Sequence, residues 1–403
     1  MQKLRGSVSR WMTGAATIAA ALVLAACGGG GDSTATAGEG TLRVALTDAP
    51  SCYEHVFVTV EKVRVHTSSS AGDNDAGWQD LALAAPKRID LLNLTNGVLE
   101  ELGSTALPAG NYSQLRLVLA DNTGQQPLAN AVQPIGGSLT ALKTPSAQQS
   151  GLKLQVHFTV EANKQIDLVL DFDACKSVVP NGRTGDFSLK PVISVTPRFV
   201  TSVQGFVTTT MTLSATSVSA QQNGEIVRST MPDASGKFVL SFLPDGTYTL
   251  VITSDGRATG VISGVPVSTA SAVTTVNGTA TAIVLPTSTM STVSGTVTAS
   301  ASTGATTTTA AVGDATVTAL QTVGGGTIQV ASTPVDLDLG SYTLRLPSAA
   351  PVRAPFTTGS LSFAPETAAA GKYTLQAAAP GRSPLSRAID VSSGAAATAN
   401  FAY

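Results

Sequence analysis

The sequence has little charge, few aromatic side chains and few cysteines. Among its 403 residues, 12% are charged, 5% are aromatic and three are cysteine. The formal net charge is −2, so no basic excess predicts nucleic-acid binding and no acidic tail predicts cation storage. The apolar run near the start, from about Ala15 to Leu24, is also shorter than the roughly 20 residues that a membrane-spanning helix needs.

Motifs that carry catalytic chemistry are missing as well. The chain contains no G-x-S-x-G elbow, no H-E-x-x-H pair, no Walker loop and no complete G-x-G-x-x-G. Segment 72–77 has the composition of a calcium loop, but Gly77 falls one position early and the bidentate Glu is missing, which favours a polar turn. We therefore predict no catalytic residue, no cofactor and no metal site.

Histidines and strand-borne carboxylates are the remaining candidates for chemistry. A metal site shared by His55, His66 and His157 would need the fold to bring them together, and the alternative is surface imidazoles beside apolar strands. Two carboxylates four residues apart on a strand are ~13 Å apart, too far for paired acid–base work. We interpret as solvated the same-parity polar side chains of two predicted strands: Asp167, Asp171 and Asp173, and Lys153, Gln155 and His157.

Aromatic residues allow two interpretations. Trp78 lies in a polar loop, where its ring is a candidate platform for a sugar. Tyr112, Tyr248, Tyr342 and Tyr373 instead all stand two residues after a glycine, at the start of a predicted strand. That regular position predicts core packing with the hydroxyl at the rim, so core packing is the main expectation and a sugar platform is the alternative.

The residues that dominate the chain predict an all-β protein. Thr, Ser, Ala, Val and Gly are abundant, Glu and Lys are scarce, and turn residues recur every 8 to 12 positions or so. The length is enough for two to four domains. We predict three tandem β-sandwich domains, Ig-like or prealbumin-like, at residues 40–200, 201–287 and 288–403.

The first residues have the parts of an export signal: basic side chains, an apolar run and a small-residue cleavage site. Leu24-Ala25-Ala26-Cys27 resembles the lipobox of bacterial lipoproteins. The resemblance implies a signal peptide at 1–26, a lipidated Cys27, a tether at 27–39 and a place in the bacterial cell envelope. Gly28 after the cysteine implies the outer membrane. The alternative is an ordinary secretory signal in which Cys27 is an incidental thiol.

The other two cysteines, Cys52 and Cys175, form an even pair in an oxidising compartment. A disulfide between them would close a loop of more than a hundred residues and stabilise the fold by about 4 to 5 kcal/mol on the chain-entropy model. A metal site and a reactive thiol are the alternatives. No C-x-x-C motif supports them.

The first domain begins with strands of alternating polarity. The buried parity changes near Glu61-Lys62, which predicts a bulge. Residues 152–160 and 166–172 alternate regularly and predict a hairpin, and residues 98–102 suggest a short helical turn. The motifs at 40–52, 56–65, 90–94 and 107–117 resemble the domain of unknown function 4382 (DUF4382), common in bacterial lipoproteins, which implies a β-sandwich with no defined activity.

The second and third domains share a motif. Residues 233–250 contain strand, Pro-Asp-Gly turn and strand, and resemble the carboxypeptidase regulatory-like domains, which are prealbumin-like sandwiches that usually lack catalysis. The third domain repeats G-x-Y-x-L and resembles a divergent relative, so we expect a tandem array in which each unit buries its own core. Its Ala/Thr-rich run from Ala299 to Ala311 predicts a loop.

These features support two classes of function. The first is a non-catalytic lipoprotein, attached to the membrane by its lipid, whose sandwiches bind an envelope protein or a glycan or serve a structural role; an adhesin or carbohydrate-binding protein is a special case. The second is a metal-dependent envelope hydrolase built from scattered Asp and His side chains of the first domain. The missing motifs favour the first.

Overall fold

The computed structural model describes residues 38–48, 52–145, 150–303 and 306–403. These residues are almost entirely strands and turns, which confirms the all-β prediction. The helices that lie wholly within the described residues are single turns: α1 (Ala174–Ser177) and the 3₁₀ turns Leu91–Leu94, Leu213–Ala215, Thr279–Thr281 and Thr367–Ala369. Within the described residues, no helix is long and apolar enough to cross a membrane.

In the part of the chain that the structure describes, the first sandwich has twelve strands, and they enclose one apolar core. They are β1 (Glu39–Asp48), β2 (His55–His66), β3 (Gln79–Asp90), β4 (Glu100–Pro108), β5 (Gly110–Leu119), β6 (Ala131–Gln133), β7 (Thr140–Lys143), β8 (Leu152–Val160), β9 (Gln165–Phe172), β10 (Val178–Asn181), β11 (Asp186–Leu189) and β12 (Ile193–Pro197).

Two sheets form this sandwich, in the orders β12-β9-β1-β4 and β10-β11-β7-β6-β2-β5-β8, with β3 also paired to β2. The predicted bulge in β2 is confirmed, because the register with both neighbours shifts between Val60 and Lys62. The shift lets Val60 and Val63 both face the core although their positions have opposite parity.

Two local predictions in the first sandwich are wrong. Strands β8 and β9 do not form a hairpin: β8 pairs with β5 in one sheet, whereas β9 pairs with β1 and β12 in the other. The connection from Glu161 to Lys164 therefore crosses between the sheets. The helical turn lies at Leu91–Leu94 rather than at 98–102, because Asp90 accepts a hydrogen bond from the Leu92 backbone and caps that turn.

The second sandwich begins at Ser202 and encloses its own core. Its strands are β13 (Ser202–Phe206), β14 (Thr216–Gln222), β15 (Glu225–Thr230), β16 (Lys237–Ser241), β17 (Gly246–Ser254), β18 (Gly260–Val267) and β19 (Val273–Thr275). The sheets run β16-β13-β19 and β15-β14-β17-β18. The turn at Pro244-Asp245-Gly246 thus carries the chain from one sheet to the other.

The third sandwich encloses a core that ends at Phe401 on the last strand, as the sequence predicted. The remaining strands are β20 (Met290–Thr303), β21 (Thr306–Ala311), β22 (Thr316–Val323), β23 (Gly326–Pro334), β24 (Ser341–Pro347), β25 (Val352–Pro355), β26 (Ala364–Pro365), β27 (Lys372–Ala378), β28 (Leu385–Asp390), β29 (Ala397–Thr398) and β30 (Phe401–Ala402). Its sheets run β21-β20-β24, with β29 and β30 also paired to β20, and β23-β22-β27-β28.

The Ala/Thr-rich run of the third sandwich is not a loop. Its described residues lie in β20 and β21, which pair in antiparallel register from Thr298 opposite Ala311. Threonine is β-branched and favours extended backbone, so a run that is low in complexity still forms strands when a neighbouring sheet offers hydrogen bonds.

The core of the second sandwich also contains side chains from outside the predicted second domain, residues 201–287. Strand β25 pairs in parallel with β18, and β26 pairs with β25, so residues 352–365 extend a sheet of the second sandwich. The Val352 side chain belongs to the second core, and Phe356, Leu361 and Phe363 pack against it. The expectation that each unit buries its own core is therefore wrong for this pair of sandwiches.

Tyrosine packing is confirmed at all four predicted positions. Tyr112, Tyr248, Tyr342 and Tyr373 are all at least 96% buried. The Tyr112 hydroxyl donates to the Pro108 carbonyl at 3.1 Å, and the Tyr248 hydroxyl donates to the Pro244 carbonyl at 2.8 Å. In both cases the acceptor lies four residues earlier, so the L-P-x-G-x-Y sequence forms the same tyrosine corner in the first two sandwiches.

Candidate functional site

The predicted disulfide between Cys52 and Cys175 is present, with their Cα atoms 5.3 Å apart. Cys175 lies in α1, directly after strand β9. The Asp48 carboxylate at the end of β1 accepts a hydrogen bond from the Ala174 backbone at 3.2 Å, which holds α1 beside the strand end. The disulfide therefore joins the segment after β1 to the segment after β9, two strands that are neighbours in one sheet.

A buried arginine fastens the second sandwich to the first. Arg228 on β15 is 5% exposed, and its guanidinium contacts the Asp171 carboxylate on β9 at 3.0 Å. The same guanidinium donates to the Ser194 hydroxyl at 3.2 Å and to the Thr196 hydroxyl. Burial raises the pKa of the Asp171 carboxyl above its ordinary value, and the neighbouring Arg228 charge opposes that shift.

Asn96 makes a second contact between these two sandwiches. Its backbone N–H donates to the Thr230 hydroxyl at 2.9 Å, and its side-chain oxygen accepts from the Val239 backbone at 3.0 Å. Asn96 adopts φ +57°, a left-handed conformation that asparagine tolerates better than most residues. The turn can therefore insert the asparagine side chain between two strands of the neighbouring sandwich.

The third sandwich contacts both of the others. The Leu337 backbone donates to the Pro180 carbonyl at 3.2 Å, and Lys190 donates to the Gly313 carbonyl at 3.2 Å. On the other side, the buried Gln221 side chain exchanges two hydrogen bonds of 2.8 Å with the backbone of Gln329. All three pairs of sandwiches are therefore in direct contact, and the described residues belong to one compact unit.

A cleft of about 250 Å³ lies where the three sandwiches meet, and we call it the junction cleft. The first sandwich contributes the disulfide and the Lys176–Asp173 ion pair, whose charged atoms are 2.8 Å apart. The second contributes residues of β14, β15 and β17, and the third contributes residues 329–332 of β23. The sequence offered no sign of this cleft, because its lining is mostly serine, threonine and small apolar residues scattered over nearly 300 positions.

The three histidines lie in different surroundings. His55 Nδ1 is 2.6 Å from the Asp90 carboxylate, and its ring stacks on Phe57. His66 Nε2 is 3.0 Å from the Ala76 carbonyl oxygen, while His157 is exposed on β8. In the part of the chain that the structure describes, no group of three or more His, Cys, Asp or Glu side chains is placed to hold a metal ion.

The predicted polar turn at 72–77 supports a buried arginine. Arg116 on β5 is 2% exposed, and its guanidinium pairs with Asp73 and donates to the Ala71 carbonyl at 2.8 Å. Trp78 is half-buried, its indole N–H donates to the Gly72 carbonyl, and the Arg116 guanidinium lies 4.5 Å from its ring centre. The Trp78 ring therefore packs against the guanidinium groups of Arg64 and Arg116, so it is not a free platform for a sugar.

The interpretation of the strand carboxylates as solvated is wrong for Asp171, which is paired at the interface with the second sandwich. Asp173 caps α1, since its carboxylate accepts from the Lys176 backbone at 3.0 Å. Lys153, Gln155 and His157 are exposed, as predicted. Parity located the polar face of β9 correctly, but it did not show that a second sandwich covers part of that face. Cys27 lies outside the described residues.

The fold and the junction define a multidomain β-sandwich protein. Residues 39–191 match the family model "Domain of unknown function (DUF4382)", and residues 202–281 match the model "Carboxypeptidase regulatory-like domain". The chain thus contains a DUF4382 domain followed by a carboxypeptidase regulatory-like domain, which confirms both resemblances. No match is found among curated proteins.

Three solved structures show distant likeness. A chain of a type II cohesin–X-dockerin complex from Acetivibrio cellulolyticus is 23% identical, with 22% of this chain and 59% of that chain covered and a TM-score of 0.19. The Bacillus anthracis TIE protein is 12% identical, with 91% and 50% covered and a TM-score of 0.18. The pilus adhesin SpaC from Lactobacillus rhamnosus GG is 12% identical, with 87% and 38% covered and a TM-score of 0.15. The chain spans about four-tenths to six-tenths of the length of these structures.

Proposed function

We propose that this protein is a non-catalytic, lipid-anchored protein of the bacterial cell envelope whose three sandwiches act together as a binding or structural module. The observation that carries the proposal is the burial of polar contacts between the sandwiches, above all the Arg228–Asp171 ion pair. Such contacts hold the sandwiches in a single arrangement. A surface composed of several domains binds a partner well when it is preorganised in this way, because little conformational freedom is lost on binding.

The anchor is the second part of the proposal. Cys27 of Leu24-Ala25-Ala26-Cys27 supplies the acceptor sulfur, and the residues of the expected tether up to position 38 separate it from β1. Each buried lipid CH₂ contributes about 0.8 kcal/mol, and stable anchoring takes more than one acyl chain, which a triacylated cysteine provides. Gly28 favours the outer membrane over the inner one.

Mass spectrometry of the protein from a membrane fraction tests the anchor. We expect a mature chain that begins at Cys27 and carries acyl chains on that residue. We expect the Cys27→Ser variant to be lost from the membrane fraction. The Ser33→Ala variant, which changes another residue of the same tether, is expected to remain in it. A chain that starts elsewhere with an unmodified Cys27 would contradict the lipoprotein proposal.

Capture from an envelope extract tests the binding role. The full chain is expected to retain an envelope protein or a glycan, and Arg228→Ala, which loosens the contact between two sandwiches, is expected to retain less of it. Arg345→Ala serves as the control because its ion pair with Asp255 is exposed to solvent. A metal that copurifies with the chain and supports hydrolysis of an envelope substrate would favour the hydrolase hypothesis instead.

A further inference from the structure

In the second and third sandwiches, the first strand pairs in parallel with the last segment of the same sandwich. Strand β13 runs beside β19, with Ser202 opposite Val273. Strand β20 runs beside β29 and β30, beginning with Val293 opposite Ala397. Because parallel strands point the same way, the chain enters the first strand at one end of the pair and leaves the last segment at the other. Tension on the two ends of such a sandwich therefore pulls the paired strands along each other.

An asparagine side chain continues each parallel pair where the backbone pairing breaks. The Asn277 side-chain oxygen accepts from the Phe206 backbone at 2.7 Å, and its amide donates to the Phe206 carbonyl at 2.8 Å. Asn400, between β29 and β30, accepts from the Thr296 backbone at 2.9 Å. An asparagine side chain has the donor and acceptor groups of a peptide bond, so each one replaces missing backbone hydrogen bonds. We call β13 with β19 and Asn277, and β20 with β29, β30 and Asn400, the two terminal clamps.

Corresponding glycines in the two first strands let the last segment approach closely. A Cβ atom at Gly205 would stand 2.7 Å from the Asn277 side-chain oxygen, and one at Gly295 would collide with the Ala399 carbonyl. The same combination of glycine, asparagine and parallel pairing thus closes two sandwiches of one chain. This recurrence indicates that the closure has a role in both.

Tension loads the hydrogen bonds of a terminal clamp together. When two strands are pulled along each other, all the bonds between them have to lengthen at once, whereas strands that are peeled from one end lose their bonds one at a time. In the third sandwich these bonds include Ala399 to Ser294 and Tyr403 to Thr298, both 2.9 Å. Forced unfolding depends on the unfolding rate, so bonds that must break together slow it more than their equilibrium contribution suggests.

The last strand of the first sandwich is loaded differently, and a buried arginine holds it. Strand β12 is antiparallel to β9, and it ends at the end of the sheet where β1 begins, so tension peels β12 from β9. Arg228 of the second sandwich pairs with Asp171 on β9 and donates to Ser194 and Thr196 on β12. The guanidinium therefore joins the two strands that tension would separate.

The disulfide limits how far the first sandwich can extend. Cys52 and Cys175 are separated by 123 positions, and the bond closes the chain between them into a loop. At about 3.3 to 3.6 Å per extended residue, an intact bond withholds about 400 Å of extension. Peeling of β12 in the oxidised protein therefore releases a short segment.

We propose that this protein bears tension between the envelope membrane and the partner that it binds, and that the two terminal clamps and Arg228 carry the load. The inference rests on the proposed function, because the lipid provides one attachment and a partner at the far end of the third sandwich provides the other. The connections 198–201 and 286–289 between the sandwiches are short, so the load passes from one sandwich to the next with little slack.

Single-molecule stretching tests the proposal. The full-length protein in detergent is held in optical tweezers through peptide tags at its two ends. We expect a first, short extension when β12 is released, and later extensions at higher force when the clamps yield. A dithiol reductant is expected to add about 400 Å to the extension of the first sandwich, which identifies that event.

Matched variants locate the load. Asn400→Ala removes the side-chain bridge of the third clamp, and we expect the unfolding rate of that sandwich at constant force to rise about fivefold to tenfold. Leu375→Ala is the control, because Leu375 lies in the third core on β27, outside the clamp. It is expected to lower the stability in urea more than Asn400→Ala does, but to raise the rate under force less. The urea curves also check that both variants fold.

Arg228→Ala tests the first sandwich. We expect β12 to be released at lower force in this variant, with the forces of the two clamps unchanged. The clamps of the same molecule thus serve as the internal control.

Three results would overturn the inference. The clamps yield at no higher force than β12, Leu375→Ala raises the rate under force as much as Asn400→Ala does, or Arg228→Ala leaves the release of β12 unchanged. Each of these leaves the acylation of Cys27 and the capture of an envelope partner unaffected. Failure of the load-bearing role is thus separate from failure of the proposed function.

Discussion

Single buried residues make the contacts that hold neighbouring sandwiches together. Arg228 is buried, and it contacts a carboxylate and two hydroxyls of another sandwich. Removing one partner of a buried ion pair leaves an uncompensated charge, whereas an exposed ion pair contributes little. The protein offers both kinds of pair between sandwiches, because Arg345 of the third pairs with Asp255 of the second at the surface.

We predict that Arg228→Ala lowers the free energy of unfolding by about 3 kcal/mol, because Asp171 stays buried without its partner. Arg345→Ala is expected to lower it by less than about 1 kcal/mol. Urea unfolding followed by tryptophan fluorescence and circular dichroism measures both. Equal losses in the two variants would show that the buried pair does not fasten the sandwiches.

Buried tyrosine hydroxyls predict a loss of stability in alkaline solution. Burial raises the pKa of Tyr342 from 10.0 to about 12. Because the folded state holds this proton more tightly than the unfolded state, the contribution is complete below pH 10 and is lost as the pH rises towards 12.

We therefore expect the free energy of unfolding to fall between pH 10 and pH 12, and we expect Tyr342→Phe to make that fall shallower. Urea unfolding at a series of pH values is the measurement. Tyr342→Phe also removes the hydrogen bond to the Ala399 carbonyl, so the slope with pH, rather than the stability at pH 7, is the quantity to compare.

At the scale of elements, the most consequential feature is a pair of strands, β25 and β26. They come from the third domain of the sequence but extend a sheet of the second sandwich. Strand β25 covers the edge of β18, and a covered edge is protected against pairing with other chains. Val352, the first residue of β25, is 6% exposed and lies in the second core. The second sandwich thus depends on residues that lie more than sixty positions beyond its own last strand.

We predict that Val352→Ala lowers the free energy of unfolding by about 2 kcal/mol, because it removes buried methyl groups and leaves a cavity. Val284→Ala, the same change at a side chain that is 61% exposed, is expected to cost less than about 0.5 kcal/mol. Chemical denaturation of the two variants gives the comparison. If Val352→Ala left the free energy of unfolding unchanged, β25 would not be part of the second core in solution.

Elements also show how far the amino-acid pattern reaches. Alternation in residues 152–160 and 166–172 correctly predicts two half-buried strands, but not their partners. The short connection between them favoured a hairpin, yet β8 and β9 belong to opposite sheets. Alternating polarity determines which side chains face a core, whereas the choice of neighbouring strand depends on distant segments that compete for the same edge.

At the scale of the whole molecule, the disulfide joins two segments of the first sandwich, and it lies where the three sandwiches meet. Cys52 and Cys175 are separated by 123 positions. A link over this distance restricts the unfolded chain strongly, so its removal destabilises the fold even if the folded structure is unchanged.

We predict that the double variant Cys52→Ser, Cys175→Ser lowers the free energy of unfolding by about 4 to 5 kcal/mol. A dithiol reductant is expected to reproduce this loss in the unmodified protein and to have no effect on the double variant. Unfolding curves with and without reductant provide the measurement. A protein that is equally stable in both conditions would exclude a structural role for the bond.

The sequence alone determined the all-β class, the bulge in β2, the core packing of four tyrosines and the pairing of Cys52 with Cys175. These features depend on local alternation of polarity, on turn residues and on the number of cysteines, all of which can be read directly from the sequence. Only the tertiary structure decided that Asp171 faces Arg228, that β25 completes another sandwich, and that scattered hydroxyls line one cleft. Such contacts join residues far apart in the chain through rigid docking of whole sandwiches, and docking geometry leaves no periodic trace in a sequence.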